Sequence, residues 1–292
     1  MAELRFVQLD VFSERMGGGN PLGVVLGAEH WDGARMQAFA AWTDLVETTF
    51  LLPSDQAEAS YRLRIFTPSR EIPFAGHPTI GSAHAALDCG FAQPRNGMLI
   101  QDCGAGLLPI RVRGAGADRR LLLQSPSAQI ISEGLDADPQ LGFVLGDRQL
   151  GSLGVALVAG GHRWWMAELA DEAQVRSWHP NHDAIASLAR ASDTVGLCVF
   201  ARCSGADYQL AVRAFPGGVG IIEDPASGAA NGLIAAYIAQ REGDGALGQG
   251  YRVSQGREMG HDASIDVLID GPESNWVGGR SHIVVDGRLY WD

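Results

Sequence analysis

The stretch PFAGHPTIGSAHAAL, Pro73 to Leu87, decides how the chain folds. Its second half is alanine-rich and hydrophobic on most faces, and a helix of that kind must be surrounded by protein rather than laid on a surface. Gly76, His77 and Pro78 read as the strand-to-helix turn that opens it, and Gly90 can supply the left-handed cap that closes it. The spacing therefore predicts a core helix with a histidine at its mouth.

Outward from this helix the first third reads as short strands around isolated helices: LRFVQLDVFS, LGVVLG, ETTFLLPS and YRLRIFTPS as strands, WDGARMQAFAAWTDL as a helix. The plan returns at GIIEDPASGAANGLIAAYIAQREG, Gly220 to Gly243, where an apolar strand meets Pro and Gly and then an Ala-rich helix that ends near Gly243. Internal duplication is the simplest account. The expected class is α+β, with two pseudo-repeated domains, each an antiparallel sheet rolled around a central apolar helix. The expected boundaries are 1–127 and 128–280, with the final strand, 281–292, a candidate to pair back onto the first domain.

Composition narrows the function. A net charge of -12 without a local Lys/Arg cluster repels a phosphate backbone, so no nucleic-acid partner is expected. No apolar run reaches the roughly 18 residues needed to cross a bilayer, and the N-terminus lacks a cationic region followed by an apolar core. A cytoplasmic protein without a membrane partner is the expectation. Cys89, Cys103, Cys198 and Cys203 lack paired spacing, which argues against structural zinc and suits a reducing compartment. HPNH at 179–182 and GHRWW at 161–165 show no complete ligand set, so no metal is expected. Gly-rich GGVGIIEDPASG lacks the endings of a phosphate loop or a dinucleotide fingerprint, and no nucleophile elbow is present.

The mouth of an enclosed helix presents free N–H groups and the positive end of its dipole. Two such mouths facing each other would make an anion-binding cleft. Three polar residues are candidates to line it: Glu47 in LVETTF, His77 in FAGHPT and Asp224 in IEDPASG. Glu47, between Val46 and Thr48 in a strand, is expected to have restricted solvation that raises its pKa toward the range useful for proton transfer. Asp224, before a proline, is held extended and either caps the next turn or holds an imidazole. Taken singly, each has a bland reading: a Glu facing water, an Asp capping a turn, a structural histidine. Their coincidence at two matched helix mouths is the stronger signal.

The blocks LDVFSERMGGGNPLGVVL, VETTFLLP, RIFTPSREIPFAGHPTIGSAHAAL, VRAFPGGVGIIEDPASGAANGLIAAYI, VSQGREMG and VGGRSHIVVDGRLYW span almost the whole chain. In that order they resemble the phenazine-biosynthesis PhzF-like proteins, relatives in fold of diaminopimelate epimerase. The resemblance implies a cofactor-independent isomerase in which Glu47 moves a proton between carbons of a small carboxylate-bearing substrate, with no metal or organic cofactor. It implies that His77 and Asp224 stand beside Glu47, and that the Gly76 and Gly228 turns hold the substrate's carboxylate. Asn20, Ser227 and Ala229 complete the expected substrate-binding set, and a homodimer is a further candidate feature. The sequence departs from the family pattern at Val46, Ser227, Ala229 and His261. A hydroxyl missing at Ala229 removes a hydrogen bond to the ligand's anion worth about 1.5 to 3 kcal/mol. That favours a related isomerisation over the family's dihydro-hydroxyanthranilate reaction. Two alternatives stand beside it: a two-base racemase or epimerase, which wants a thiol at each helix mouth, and a non-catalytic metabolite-binding protein on the same fold.

Overall fold

A computed structural model describes residues 4–204, 207–243, 245–271 and 274–291. Residues 1–3 of the N-terminal stretch and 292 of the closing strand lie outside the described residues. The chain forms two compact units, Met1–Gln124 with Gly278–Asp292, and Ser125–Val277.

In the first unit, β1 (Leu4–Val11) and β2 (Asn20–Leu26) pair antiparallel. The chain then crosses through α1 (Gly33–Thr43) to β3 (Thr48–Leu52), which lies parallel to β2. β4 (Tyr61–Phe66) returns antiparallel to β3. After the short β5 (Glu71–Ile72), a second crossover through α2 (Gly76–Asp88) delivers β6 (Met98–Cys103) parallel to β4. β7 (Gly106–Arg113) and β8 (Arg120–Gln124) continue antiparallel, and the closing strand Ser281–Leu289 pairs antiparallel with β1.

The second unit repeats this order of directions. β9 (Gln129–Glu133), the short α3 (Leu141–Leu145), β10 (Leu150–Gly160) and β11 (His162–Leu169) bring two antiparallel pairings, β9 with β10 and β10 with β11. A crossover through α4 (Glu172–Arg176) and α5 (His182–Ala191) gives β12 (Gly196–Arg202), parallel to β11. β13 (Leu210–Phe215) is antiparallel to β12. The crossover through α6 (Gly228–Glu242) gives β14 (Gly250–Gln255), parallel to β13, and β15 (Ala263–Ile269) pairs antiparallel with β14.

The α+β class and the enclosed helices agree with the sequence reading, but the sheets are mixed rather than wholly antiparallel. The physical reason is the connection: parallel neighbours need a crossover, here always a helix, whereas a tight turn joins antiparallel ones. The expected strand at Gly220 to Ile222 is also corrected. Pro216 and Gly217 end β13, Gly220 takes a φ of 81°, and Ile221 and Ile222 are exposed.

α2 is buried at every residue from His77 to Ala86, and α6 from Ala230 to Ala239, so neither has a solvent face. Gly81 lets α2 approach its sheet closely: a Cβ there would lie 2.5 Å from Leu22 Cδ2 and 2.7 Å from Val11 Cγ2. The first unit has a further aromatic core beneath α1, built on Trp31, Phe39, Phe50 and Phe66. Among the described residues no helix is long and apolar enough to cross a membrane.

Candidate active site

Glu47 follows α1. Asp32 caps that helix by accepting from Arg35 N at 2.8 Å, and Asp44 ends it with a left-handed φ of 53°. The turn this creates leaves Glu47 one residue before β3, not inside a strand, with its carbonyl 3.5 Å from Gly23 N on β2. The side chain folds inward and is 12% exposed.

His77 is the second residue of α2, and its imidazole approaches Glu47 with Nε2 3.5 Å from Oε2. The ring is 8% exposed and donates to the Pro21 carbonyl on β2. Burial pushes its pKa down to about 4, the Pro21 bond opposing this, so the ring is neutral at neutral pH and the contact is then not an ion pair. Nε2 makes no hydrogen bond, so Nδ1–H is the donor to the Pro21 carbonyl. The Nε2 lone pair, 3.5 Å from Glu47 Oε2, is thus open to a proton.

Pro21 is itself held by a residue the sequence reading did not single out. Asp10 on β1 pairs with Pro21 and accepts from Gly18 N at 3.0 Å and from Gly19 N at 3.0 and 3.1 Å. Asn20, buried, follows directly and opens β2. The signal available was an acidic residue in an apolar strand just before a glycine run, whose N–H groups are the natural partners of a buried carboxylate. No side chain caps the α2 mouth, because Ala75 stands at its N-cap.

In the second unit Asp224 caps its own turn. Its Oδ1 accepts from Ala226 N at 3.0 Å and its carboxyl also accepts from the Ser227 hydroxyl. Burial pushes its pKa up, the largest of the causes, against those two hydrogen bonds. Ser227 is the N-cap of α6 and accepts from Ala230 N at 3.4 Å; Gly228 begins the helix, and Ala229 is exposed. Asn231, fully buried, donates to Ser227 O at 2.8 Å and to Gln255 Oε1 at 2.9 Å, while Gln255 Nε2 donates to Asp224 O at 2.8 Å. The Asn231–Gln255 pair, also missed in the sequence, ties the mouth to β14. His261 follows the same neighbourhood, since Gly256 is so close that its Cβ would meet Pro225 O at 2.6 Å and His261 Cβ at 3.1 Å.

The structure thus brings Glu47, His77 and the Asn20–Pro21 segment together in the first unit, and Asp224, Ser227, Gly228 and Ala229 together in the second. Neither helix mouth carries a thiol. Cys89 lies at the far end of α2, Cys103 ends β6, Cys198 is buried on β12, and Cys203 follows β12 with its thiol pushed up to about 12 by burial. Among the described residues no group of three or more His, Cys, Asp or Glu is arranged to hold a metal ion.

Residues 9–287 match the model of a family described as phenazine biosynthesis-like protein, PhzC-PhzF. The chain belongs to this family. "Antisense-enhancing sequence 1" of Schizosaccharomyces pombe is 31% identical, covering 99% of this chain and all of the relative. The trans-2,3-dihydro-3-hydroxyanthranilate isomerase of Pseudomonas aeruginosa is 28% identical, covering 98% of this chain and 99% of that enzyme. In fold, the chain is similar to a PhzF-family phenazine biosynthesis protein of Bacillus anthracis, with a TM-score of 0.84 at 22% identity and full coverage of both chains. A hydroxyproline epimerase of Agrobacterium vitis gives a TM-score of 0.61 at 14% identity, covering 99% of this chain and 94% of the other. That second likeness is one of fold alone.

Proposed function

We propose that this protein is a cofactor-independent isomerase that moves a proton between two carbons of a small carboxylate-bearing substrate. Glu47 removes the proton. The electron pair of the broken C–H bond enters the adjacent π system, and the displaced π electrons take up a proton from Glu47 at the second carbon, so substrate and product have the same formula. His77, neutral and fixed by Pro21, offers Nε2 to the proton while Glu47 holds it. The free N–H groups at the Gly76 mouth of α2 bind the carboxylate and the charge that develops on deprotonation, with Asn20 beside them. The α6 mouth, with Asp224, Ser227, Gly228 and Ala229, is the second unit's own candidate for holding an anionic group.

The single observation that carries this is the 3.5 Å approach of two largely buried side chains, Glu47 and His77, at an uncapped helix mouth. Membership of a family whose relatives include a named trans-2,3-dihydro-3-hydroxyanthranilate isomerase supports it. No thiol stands at either helix mouth, which leaves the two-base epimerase reading without its bases. The test is deuterium incorporation from heavy water into trans-2,3-dihydro-3-hydroxyanthranilate and a panel of cyclic and amino acids, read by mass spectrometry. Glu47→Gln is expected to lower incorporation at least about a hundredfold, and Asp224→Asn to lower it as well. Undiminished exchange in Glu47→Gln removes Glu47 from the chemistry.

A further inference from the structure

The two helix mouths share more than their glycines. Arg64 on β4 is followed by Phe66, Glu71, Pro73 and Gly76; Arg213 on β13 is followed by Phe215, Glu223, Pro225 and Gly228. From the glutamate onward both follow the pattern Glu-x-Pro-x-x-Gly. The fold turns this into the same contacts twice. Arg64 donates from Nε and Nη2 to the two oxygens of Glu71, each at 2.7 Å, and Arg213 does the same to Glu223 at 2.8 and 2.9 Å. Residues two apart on a strand share a face. Each guanidinium accordingly lies over its own phenylalanine ring, 5.1 Å for Arg64 on Phe66 and 5.0 Å for Arg213 on Phe215.

The second copy is the more enclosed: Arg213 and Glu223 side chains are 6% and 9% exposed, against 22% and 43% for Arg64 and Glu71. Arg213 Nη1 also donates to the main-chain oxygens of Val175 and Trp178. Glu258, paired with Arg176 at 3.3 Å, lies 3.9 Å from Arg213 Nε. The next residue after Glu223 is Asp224, whose N–H bonds Ala214 O on β13 at 2.9 Å. A buried ion pair adds little net stability over an apolar pair of the same volume. A planar two-pronged contact does restrict the segment it holds to one geometry.

We propose that Arg213 and Glu223 are positioning residues, a latch that sets Asp224 and the α6 mouth, and that Arg64 and Glu71 are its copy at the α2 mouth. Its catalytic meaning rests on the isomerase reading; its existence does not. The test is the charge-balanced double variant Arg213→Met/Glu223→Leu, which leaves Arg176 paired with Glu258. Amide hydrogen exchange is followed at Ala226 and Ala230, whose N–H groups bond Asp224 and Ser227, and at Ala236 inside α6. Exchange at Ala226 and Ala230 is expected to rise at least about tenfold while Ala236 changes less than about twofold. The melting midpoint is expected to stay within about 4 °C of the parent. Carbon-13 NMR is expected to show the Asp224 carboxyl, which faces Glu223, Cys198 and Ser227, titrating at lower pH as water enters. Parental exchange at Ala226 and Ala230 overturns the latch, and so does equal acceleration at Ala236, which marks a merely stabilising pair. Should the double variant fail to fold, Arg213→Lys, which keeps the charge and loses the fork, is judged by the same amides. None of these measurements needs a substrate, so a failed latch and a failed isomerase are told apart.

Discussion

Replacing Asp10 with alanine strips the acceptor from two buried backbone donors at once. The carboxylate accepts from Gly18 N at 3.0 Å and from Gly19 N at 3.0 and 3.1 Å, and both glycines are buried. No side chain can be rebuilt from Gly19 to compensate, since a Cβ there would lie 2.1 Å from Val11 O. Losing this acceptor costs about 1–3 kcal/mol for each of the two donors, so Asp10→Ala is expected to lose about 2–6 kcal/mol, and Asp10→Asn, which retains one acceptor oxygen, about half of that. Urea unfolding followed by tryptophan fluorescence gives the stability change, and amide exchange at Gly18 and Gly19 locates it. The loss reaches the site through Pro21, which pairs with Asp10 and accepts the hydrogen bond from His77. The Nδ1–H resonance of His77 is therefore expected to broaden or vanish in Asp10→Ala. A stability within about 0.5 kcal/mol of the parent, with that resonance intact, would refute the chain from Asp10 through the glycine turn to His77.

His77 is held neutral by burial, with its pKa lowered from 6.5 to about 4. Between those values the unfolded chain binds a proton that the native one does not, so stability contributed by this residue is present above about pH 6.5 and is lost as pH falls toward 4, by up to about 3 kcal/mol. His77→Gln should flatten the rise in urea midpoint between pH 4.5 and 7; identical slopes in both proteins exclude the effect. Gly81→Ala drives a Cβ to 2.5 Å from Leu22 Cδ2 and 2.7 Å from Val11 Cγ2, and about 1–3 kcal/mol of destabilisation is expected by urea titration. An unchanged midpoint shows that α2 can shift away from its sheet.

Much of the fold was legible because burial leaves a mark on composition. The runs through Ile80 to Leu87 and Leu233 to Ala239 lack a polar face, and only enclosure by a sheet satisfies them. Gly90 and Gly243 were legible as helix ends for a local reason, a positive φ that side chains resist; they adopt 70° and 53°. Strand direction was not legible. The alternation along β2 or β13 specifies which side chains face inward and says nothing of whether the neighbour runs with it or against it. At the site, Glu47 and His77 stood out by position, but the inward turn of Glu47 depends on the left-handed Asp44 and on α2, which begins 29 residues later in the chain, at Gly76. Asp10 left only the faint mark of an acid in an apolar strand ahead of a glycine run, and the Asn231–Gln255 pair left none, since its partners are backbone and amide groups with no distinctive letter.

The amino-acid order alone determined two enclosed helices and their matched mouths, which are properties of composition and spacing carried by each segment on its own. The resemblance to the family was carried instead by whole sequence blocks in their order along the chain. Tertiary structure decided the mixed strand directions, the tautomer of His77 through the Pro21 carbonyl, and the paired Arg–Glu contacts behind Asp224 and Gly76. Each of those joins groups from different segments, and the distance between two such groups exists only after the chain has closed on itself.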